Sequence, residues 1–176
     1  MAAKAAQESA LASICDALAD AGIYRGSFRL RDVRMTEKES SRFKVIADDV
    51  NPDATLKEER GWHKMDVRWL VTGKNMDSKQ TVVGRTIMPP GVKSRHAIHR
   101  HPNAEEWEYI ISGVARKHCG DETFVLRAGE LAFIPRNVYH GLENASDTET
   151  LVTLWGYCGA SSLEEAGYVI PEDGKD

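Results

Sequence analysis

The sequence predicts an all-β fold, an antiparallel sandwich or barrel, between residues 66 and 160. Two observations support this fold class. Short segments rich in Val, Ile, Leu, Thr and aromatic residues follow one another from residue 66 onward. Turn-forming residues separate these segments at regular intervals, which is typical of proteins built from many short antiparallel strands.

The predicted strands follow in order along the chain. They are 67–71, 81–88, 96–101, 106–112, 114–119, 123–126, 131–134, 139–143 and 150–157. The predicted turns between them contain Gly, Pro, Asn or Asp, and lie at 73–78, 89–91, 102–103, 113, 120–121, 128–129, 135–137 and 144–147. Because these residue types favour turn conformations, they define where each strand ends.

The N-terminal region has a different character. A helix is predicted over residues 5–21, because apolar residues recur at helical spacing and Gly22 follows as a stop. The apolar residues of this stripe are Leu11, Ile14, Cys15 and Leu18. The highly charged stretch 24–65 predicts short segments near 28–35 and 43–47, then a turn at Asn51-Pro52-Asp53.

At the C-terminal end, a last short helix is predicted to begin at Ser161 or Ser162, because each serine precedes a glutamate by three residues. The chain is therefore divided into three parts. Residues 1–65 form an extension that packs on or extends the barrel, 66–160 form the barrel, and 161–176 form a tail with a short helix.

The composition and charge of the chain indicate a globular protein and argue against some classes of partner. The chain has 176 residues, of which 41% are hydrophobic and 28% charged, as in an ordinary globular protein with one substantial core. Its net charge is −4 and its basic residues are scattered, which argues against nucleic acid or a membrane as partner. The three cysteines form no CxxC pair and the N-terminus lacks a signal-peptide pattern, so we expect a reducing, cytoplasmic location.

Four potential metal ligands are the most informative feature. His99 and His101 are two residues apart, so on a strand both side chains point to the same face. A hairpin turn at 102–103 can return Glu106 beside them, and His140 enters from a later strand. A His-x-His pair alone is compatible with ordinary partly buried histidines. Three imidazoles and a carboxylate together suit Fe, Mn, Co, Ni, Cu or Zn better than Ca or Mg.

The same segments resemble the two motifs of the cupin superfamily. The first motif, G-x5-H-x-H-x3–4-E-x6-G, is matched by His99, His101, Glu106 and Gly113. The second motif, G-x5-P-x-G-x2-H-x3-N, is matched by Gly129, Pro135, His140 and Asn144. The resemblance covers roughly residues 66–158, and two positions depart from it. Gly91 lies two residues too far from His99, and Asn137 replaces a turn glycine, which it can do because Asn tolerates a left-handed backbone.

The resemblance implies a double-stranded β-helix, or jelly-roll barrel, and the helical patterns of the sequence add a short helix at each end. It also implies one divalent transition metal per chain, Fe(II) by preference, held by His99, His101, Glu106 and His140. The matched glycines, Pro135 and Asn144 receive structural turn roles. Cupins of this size resemble homodimers, in which the predicted N-terminal helix could form an exchange arm or an interface element.

Other candidate site residues are left open by the sequence. His96 reaches the pocket only if a bulge precedes His99, where it could act as acid or base; otherwise it lies at the rim. Glu105 is the alternative carboxylate to Glu106. Arg85, Tyr109 and Trp155 lie on predicted strands and are candidates to line the pocket, Tyr109 also as a proton carrier, although each could equally face outward or pack in the core.

These features predict a metal-dependent enzyme acting on a small organic molecule. A mononuclear non-haem iron dioxygenase is the first hypothesis, because such an ion keeps about two positions for O2 and a chelating substrate. A redox-neutral isomerase, decarboxylase or lyase on the same site is the second. A non-catalytic small-ligand-binding cupin is the third, and no helix-turn-helix pattern or basic patch accompanies the predicted barrel.

Overall fold

Antiparallel strands account for most of the chain from residue 62 to residue 158. The structure is a computed structural model that describes residues 41–91 and 94–171. The predicted helix 5–21 and the predicted segment 28–35 lie outside the described residues. The strands are β1 (Trp62–His63), β2 (Asp66–Val71), β3 (Thr81–Met88), β4 (Arg95–His99), β5 (Glu105–Ser112), β6 (Val114–Cys119), β7 (Glu122–Arg127), β8 (Leu131–Ile134), β9 (His140–Asn144) and β10 (Leu151–Cys158).

The strands form two five-stranded sheets that face each other as a jelly-roll barrel. The first sheet has the order β1-β4-β9-β6-β7 and the second has the order β2-β3-β10-β5-β8. All strand pairs described are antiparallel. The predicted all-β jelly-roll fold is thus confirmed, and the strands match the predicted segments to within one residue at most ends.

Alternation along the strands decides which side chains face the interior. In β3 every second residue is buried, from Val82 through Gly84 and Thr86 to Met88. Residues in between, such as Arg85, lie on the outer surface, because successive side chains of a strand point to opposite faces. The interior holds two apolar clusters, one around Trp62, Trp155 and Tyr157 and one around Met88, Ile110 and Leu151.

Two short helices flank the barrel strands. Helix α1 (Gly73–Met76) occupies the predicted turn after β2, and the side chains of Thr72 and Asn75 cap it reciprocally. Helix α2 (Leu163–Ala166) begins after Ser162, whose hydroxyl accepts a hydrogen bond from the Glu165 amide at 3.2 Å. The predicted C-terminal helix is therefore present, with Ser162 as its N-cap.

Asn137 and Gly113 show why the turns hold their shape. Asn137 has a φ of 66° and Gly113 a φ of 85°, so both occupy the left-handed region. The expectation that Asn137 can replace a turn glycine is confirmed by its backbone. Its amide also donates to the carbonyl of His101 at 2.9 Å, which ties this turn to a candidate ligand.

The stretch ahead of residue 66 contains more structure than the sequence predicted. Trp62 and His63 form β1 and pair with β4, so the first sheet begins before the predicted barrel boundary. The predicted segment 43–47 is not a strand; a short 3-10 helix follows it at Ala47–Asp49. The charged sequence here offers no alternating apolar pattern, and the carbonyls of Ala47 and Asp48 instead accept hydrogen bonds from Arg68. Within the described ranges, no helix has the length and apolar character needed to cross a membrane.

Candidate metal centre

The barrel brings the four predicted ligands to one place in its interior. His99 ends β4, His101 follows it by two residues, Glu106 lies on β5 and His140 begins β9. One nitrogen of each imidazole and one carboxylate oxygen all lie within 4.8 Å of one another. All four residues are buried. The donors therefore come from both sheets and meet in the interior of the barrel, away from solvent.

Backbone carbonyls orient each of the three imidazole rings. The Nδ1 atoms of His99 and His140 donate to the carbonyls of Ala97 at 2.8 Å and Val138 at 2.9 Å. The Nδ1 atom of His101 donates to the carbonyl of Gly167. Because a carbonyl oxygen can only accept, Nδ1 must carry the proton in all three rings. Each Nε2 atom is left with a lone pair directed into the site, the arrangement that a metal ligand needs.

The Nε2 atoms lie close to the Glu106 carboxylate, but an unprotonated Nε2 and a carboxylate oxygen are both hydrogen-bond acceptors and cannot form a hydrogen bond with each other. Oε2 of Glu106 lies 3.1 Å from Nε2 of both His101 and His140. Among the described residues, Nε2 of His99 and Nε2 of His101 have no hydrogen-bond partner although both are buried. Acceptors that face each other at this distance need a cation between them, either a proton or a metal ion. The donor set thus fits a bound metal ion.

Electrostatics favours the protonation states that metal binding requires. Burial, supported by repulsion from the neighbouring imidazoles, lowers the pKa of His99 well below its ordinary value, so this ring is neutral at pH 7. Burial acts to raise the pKa of Glu106, but interactions with His140, His101 and Lys117 outweigh it and hold the pKa well below the ordinary value. Glu106 is therefore a carboxylate at pH 7 and can bind a cation.

The chemical type of the donors indicates the class of metal. Three imidazole nitrogens and one carboxylate oxygen suit first-row transition ions such as Mn, Fe, Co, Ni, Cu and Zn. Calcium and magnesium prefer sites with more oxygen atoms. The free cysteines Cys119 and Cys158 are not members of this ligand group. The group can hold one divalent transition ion, but its donors do not select one metal among these.

A small cavity adjoins the donors. It offers about 20 Å³ to the centre of a water-sized molecule, enough for about one water. Its walls are formed by residues of both sheets: Trp62, Met65, Thr86, Met88, His96, His99, Glu106, Glu108, Lys117, His140, Gly141, Leu142, Trp155 and Tyr157. A ligand of even a few atoms must therefore displace wall side chains or enter in a compact form.

His96 lies in this cavity, where the sequence left two alternatives open. The register between β4 and β9 shifts between His96 and His99, and this irregularity lets both rings face inward. The two ring centroids are 4.1 Å apart. Nε2 of His96 is also 3.0 Å from the hydroxyl of Tyr168. The bulged alternative thus describes the structure, and the rim alternative does not.

Two of the predicted pocket residues face away from the cavity. Tyr109 is three residues from Glu106 on β5, so strand alternation directs it to the outer face, where it is 37% exposed. Arg85 lies between the inward residues Gly84 and Thr86 and binds Asp48 at 2.7 Å on the outside. The expectation that Tyr109 and Arg85 line the pocket is corrected by their places on the outer face. Arg100 also faces away, and it binds Asn137 at 2.8 Å.

Trp155 lies in the cavity wall, together with residues that the sequence analysis missed. Its indole nitrogen donates to the Thr86 hydroxyl at 2.8 Å. Lys117 and Glu108 form a buried ion pair of 2.8 Å in the same wall. Alternation from Glu106 could have identified Glu108, which is two residues further along the same strand and therefore points to the same face.

The C-terminal segment also contributes to the site. The carbonyl of Gly167 orients His101, and the ring of Tyr168 stacks on His99 with centroids 4.6 Å apart. A backbone bridge between Arg100 and Val169 fixes this segment against the chain that carries the ligands. No motif in the sequence signalled this role, because the contacts join residues more than sixty positions apart.

Comparisons with known proteins agree with this architecture. A family model described as a cupin domain matches residues 84–157. Protein SchB of Streptomyces halstedii is 32% identical over 116 residues, which cover 65% of this chain and 75% of that protein. A probable oxalate decarboxylase of Arthroderma benhamiae is 39% identical over 88 residues, covering 45% of this chain. The chain spans only 22% of the length of that decarboxylase.

A solved structure has the same fold. The crystal structure of a predicted oxalate decarboxylase from Thermotoga maritima superposes with a TM-score of 0.57 at 25% identity. The superposition covers 65% of this chain and 97% of that chain. The matched motifs, the two-sheet barrel and the similarity to SchB all lead to one assignment. The chain belongs to the cupin superfamily.

Proposed function

We propose that this protein is a metal-dependent enzyme acting on a small carboxylate, and that redox-neutral decarboxylation is its reaction. One observation carries the proposal: three Nε2 lone pairs and the Glu106 carboxylate converge next to a small cavity that is lined in part by polar residues. An ion held by side chains beside a cavity is arranged to bind and polarise a small molecule.

The relatives favour a carboxylate substrate and a decarboxylation. The matched region of the Arthroderma protein belongs to a probable oxalate decarboxylase, and the Thermotoga structure is that of a predicted oxalate decarboxylase. The cavity has room for about one water, so oxalate or a small 2-oxo acid would have to displace wall side chains to reach the ion, and a larger substrate would have to displace more of them. We therefore rank decarboxylation above the dioxygenase reaction that the sequence motifs alone placed first.

The residues of this chain have separate tasks in the proposed reaction. His99, His101, Glu106 and His140 would hold the ion, which would supply a Lewis acid for a carboxylate substrate. Loss of CO2 from a carboxylate leaves an electron pair on carbon, and one proton must be added there to complete the reaction. His96 is the candidate for this proton transfer, because it lines the cavity beside His99 and contacts the Tyr168 hydroxyl through Nε2.

An iron-dependent dioxygenase is the second candidate. Three imidazoles and one carboxylate without a thiolate suit Fe(II) as well as they suit Mn(II). Isomerisation, elimination and ligand binding without catalysis would use the same donors. The metal that the chain takes up, and whether O2 is consumed, distinguish these reactions.

The test is a paired gas measurement on the full chain loaded with Mn(II) or with Fe(II). Oxalate and a panel of small 2-oxo acids are supplied while CO2 release and O2 uptake are recorded together. We expect CO2 release without stoichiometric O2 uptake, abolished in His140→Ala and retained in His118→Ala, whose histidine lies outside the ligand group. O2 uptake in proportion to substrate would instead support an oxidative reaction, and incorporation of both atoms of labelled O2 into the products would identify it as that of the dioxygenase. Absence of turnover with bound metal would contradict both enzymes.

A further inference from the structure

Residues 167–169, which we call the C-terminal clasp, contact two of the candidate metal ligands directly. The carbonyl of Gly167 accepts a hydrogen bond from Nδ1 of His101. The ring of Tyr168 stacks on the ring of His99, with centroids 4.6 Å apart and planes inclined by 24°. Each contact restricts the direction of one Nε2 lone pair. The clasp therefore helps to determine where two of the four donors point.

The side chain of Tyr168 also ties the clasp to the chain around β1. Its hydroxyl donates a hydrogen bond to the carbonyl of Arg60 at 3.1 Å, and Nε2 of His96 lies 3.0 Å from the same oxygen. Its ring stacks on Trp62 with centroids 5.5 Å apart. Because His96 and Trp62 line the cavity beside the donors, Tyr168 connects a metal ligand to the cavity wall.

The clasp has a fixed end and a hinge. Ala166, the last residue of α2, is fully buried in the apolar cluster around Trp62, and its carbonyl accepts a hydrogen bond from the Asn103 amide at 3.0 Å. Gly167 follows with a φ of 78° and a ψ of 150°, a backbone conformation that glycine adopts more readily than other residues. The clasp can therefore swing at Gly167 while α2 stays in place.

The strands that carry the donors are held more firmly than the clasp. β4 lies between β1 and β9, β5 between β10 and β8, and β9 between β4 and β6, so each is hydrogen-bonded to a neighbour on both edges. Within the described chain, a single isolated bridge joins the clasp backbone to the ligand-bearing segment. In it Arg100 and Val169 exchange two hydrogen bonds of 3.0 and 3.1 Å. Segments with few hydrogen bonds open at a lower free-energy cost than central strands, so of these elements the clasp opens most easily.

An ion can enter or leave only when part of the surroundings moves, because the four ligand residues are between 1% and 7% exposed. We propose that the C-terminal clasp closes over the metal centre and that its opening sets the rate at which the ion is exchanged. Gly167 and Tyr168 are positioning residues, which act on the ion through His101 and His99. This inference rests on the proposed function, since it presumes an ion bound by the four donors.

The first test is release of Co(II) from the loaded full chain to excess chelator at pH 7, followed by the visible absorption of the bound ion. Tyr168→Leu removes the ring that stacks on His99 and the hydroxyl that bonds the Arg60 carbonyl. We expect it to accelerate release by about tenfold to a hundredfold. Tyr168→Phe keeps the ring on His99, so its release rate should lie closer to that of the wild type.

Hydrogen exchange separates opening of the clasp from unfolding of the barrel. The amide of Val169 donates to the carbonyl of Arg100, so it can exchange when the clasp opens. β10 is the middle strand of the second sheet, and its amides report unfolding of the barrel. In Zn(II)-loaded Tyr168→Leu, NMR should show the Val169 amide exchanging about tenfold faster than in the wild type. The amides of β10 should keep their wild-type rates.

Gly167→Ala tests the hinge and has a matched control. A Cβ at position 167 would lie 2.9 Å from Cδ of Pro102, and the φ of 78° is strained for any residue with a side chain. We expect the clasp to be displaced and Co(II) release to accelerate by about tenfold or more. Gly129→Ala imposes similar strain at a φ of 91°, but its Cβ would have no described atom within 4 Å. This control should release Co(II) at the wild-type rate.

Each outcome decides the proposal. Wild-type release rates in both Tyr168→Leu and Gly167→Ala, with Co(II) bound, would overturn the clasp while leaving the metal centre intact. Equal acceleration in Gly129→Ala, or faster exchange throughout β10 in Tyr168→Leu, would assign the effect to a general loss of stability and would also overturn the clasp. Failure of the wild type to bind Co(II) would contradict the proposed function instead, so the two failures are distinguishable.

Discussion

His99 and His140 lie opposite each other on neighbouring strands, and their ring centroids are 4.3 Å apart. Each ring donates Nδ1–H to the carbonyl of the residue two positions before it. The same hydrogen bond, from Nδ1 to the carbonyl two residues earlier, thus orients the histidine of β4 and the histidine of β9. Pairing of these two strands is what turns a His-x-His motif and a distant histidine into one site.

Acid should destabilise the metal-free chain. Burial lowers the pKa of His96 and of His99 in the folded state, whereas an unfolded histidine titrates near about 6.5. As pH falls below that value the unfolded chain binds more protons than the folded chain, so the free energy of unfolding decreases. Urea unfolding between pH 7.5 and pH 5.5 should show the decrease. His96→Phe should have a shallower slope, and an unchanged slope would contradict the role given to this ring.

Gly84→Ala should destabilise the barrel through Trp155. A Cβ at position 84 would lie 2.1 Å from the indole ring, whose nitrogen is bonded to Thr86. The indole must move or the strands must separate, which typically costs about 1–3 kcal/mol. Urea denaturation measures the loss, and tryptophan fluorescence reports the displaced ring. Wild-type stability in this variant would mean that Trp155 does not pack against Gly84.

Asn137 allows a graded test of the turn beside His101. Its φ of 66° costs an alanine roughly 1–2 kcal/mol, whereas glycine adopts this backbone freely. Asn137→Ala should therefore be less stable than Asn137→Gly by about that amount, since both variants lose the hydrogen bond from Arg100. Thermal and urea unfolding of the two variants provide the comparison. Equal stabilities would show that the turn relaxes when its side chain is removed.

Pairing of two copies stays a prediction, and the structure suggests where it would occur. Tyr109 and Ile111 on β5 and Leu131 and Phe133 on β8 are exposed on one outer face, Phe133 to 54%. Exposed apolar groups on adjacent strands are typical of interaction surfaces. We expect a dimeric mass by light scattering and a monomeric mass for Leu131→Glu combined with Phe133→Glu. Val125→Glu, at an exposed residue of the other sheet, is the control. A monomeric wild type would rule out this interface.

Local periodicity explains what the sequence could predict. The strands, the inward direction of His99 and Glu106, and the cap at Ser162 all depend on residues close together in the chain. Alternation could also have excluded Tyr109, which is an odd number of positions from Glu106. A bulge between Glu106 and Tyr109 would have reversed this alternation, and the structure has none there, so Tyr109 faces outward.

Long-range contacts explain what the sequence could not predict. The carbonyl of Gly167 orients His101 only because the C-terminal segment returns across the ligand-bearing chain. The pairing of Lys117 with Glu108 likewise requires the two sheets to face each other. The inward position of His96 depends on an irregular register, and strand alternation alone gives the wrong face for it.

Elemental analysis of the purified chain, made in medium containing Mn, Fe, Co, Ni, Cu and Zn, tests the central claim most directly. We predict one first-row transition ion per chain in the wild type and in His118→Ala. His140→Ala removes one of the four converging donors and should lose nearly all of the bound ion. Full metal content in folded His140→Ala would contradict the assignment of His99, His101, Glu106 and His140 as a single metal centre.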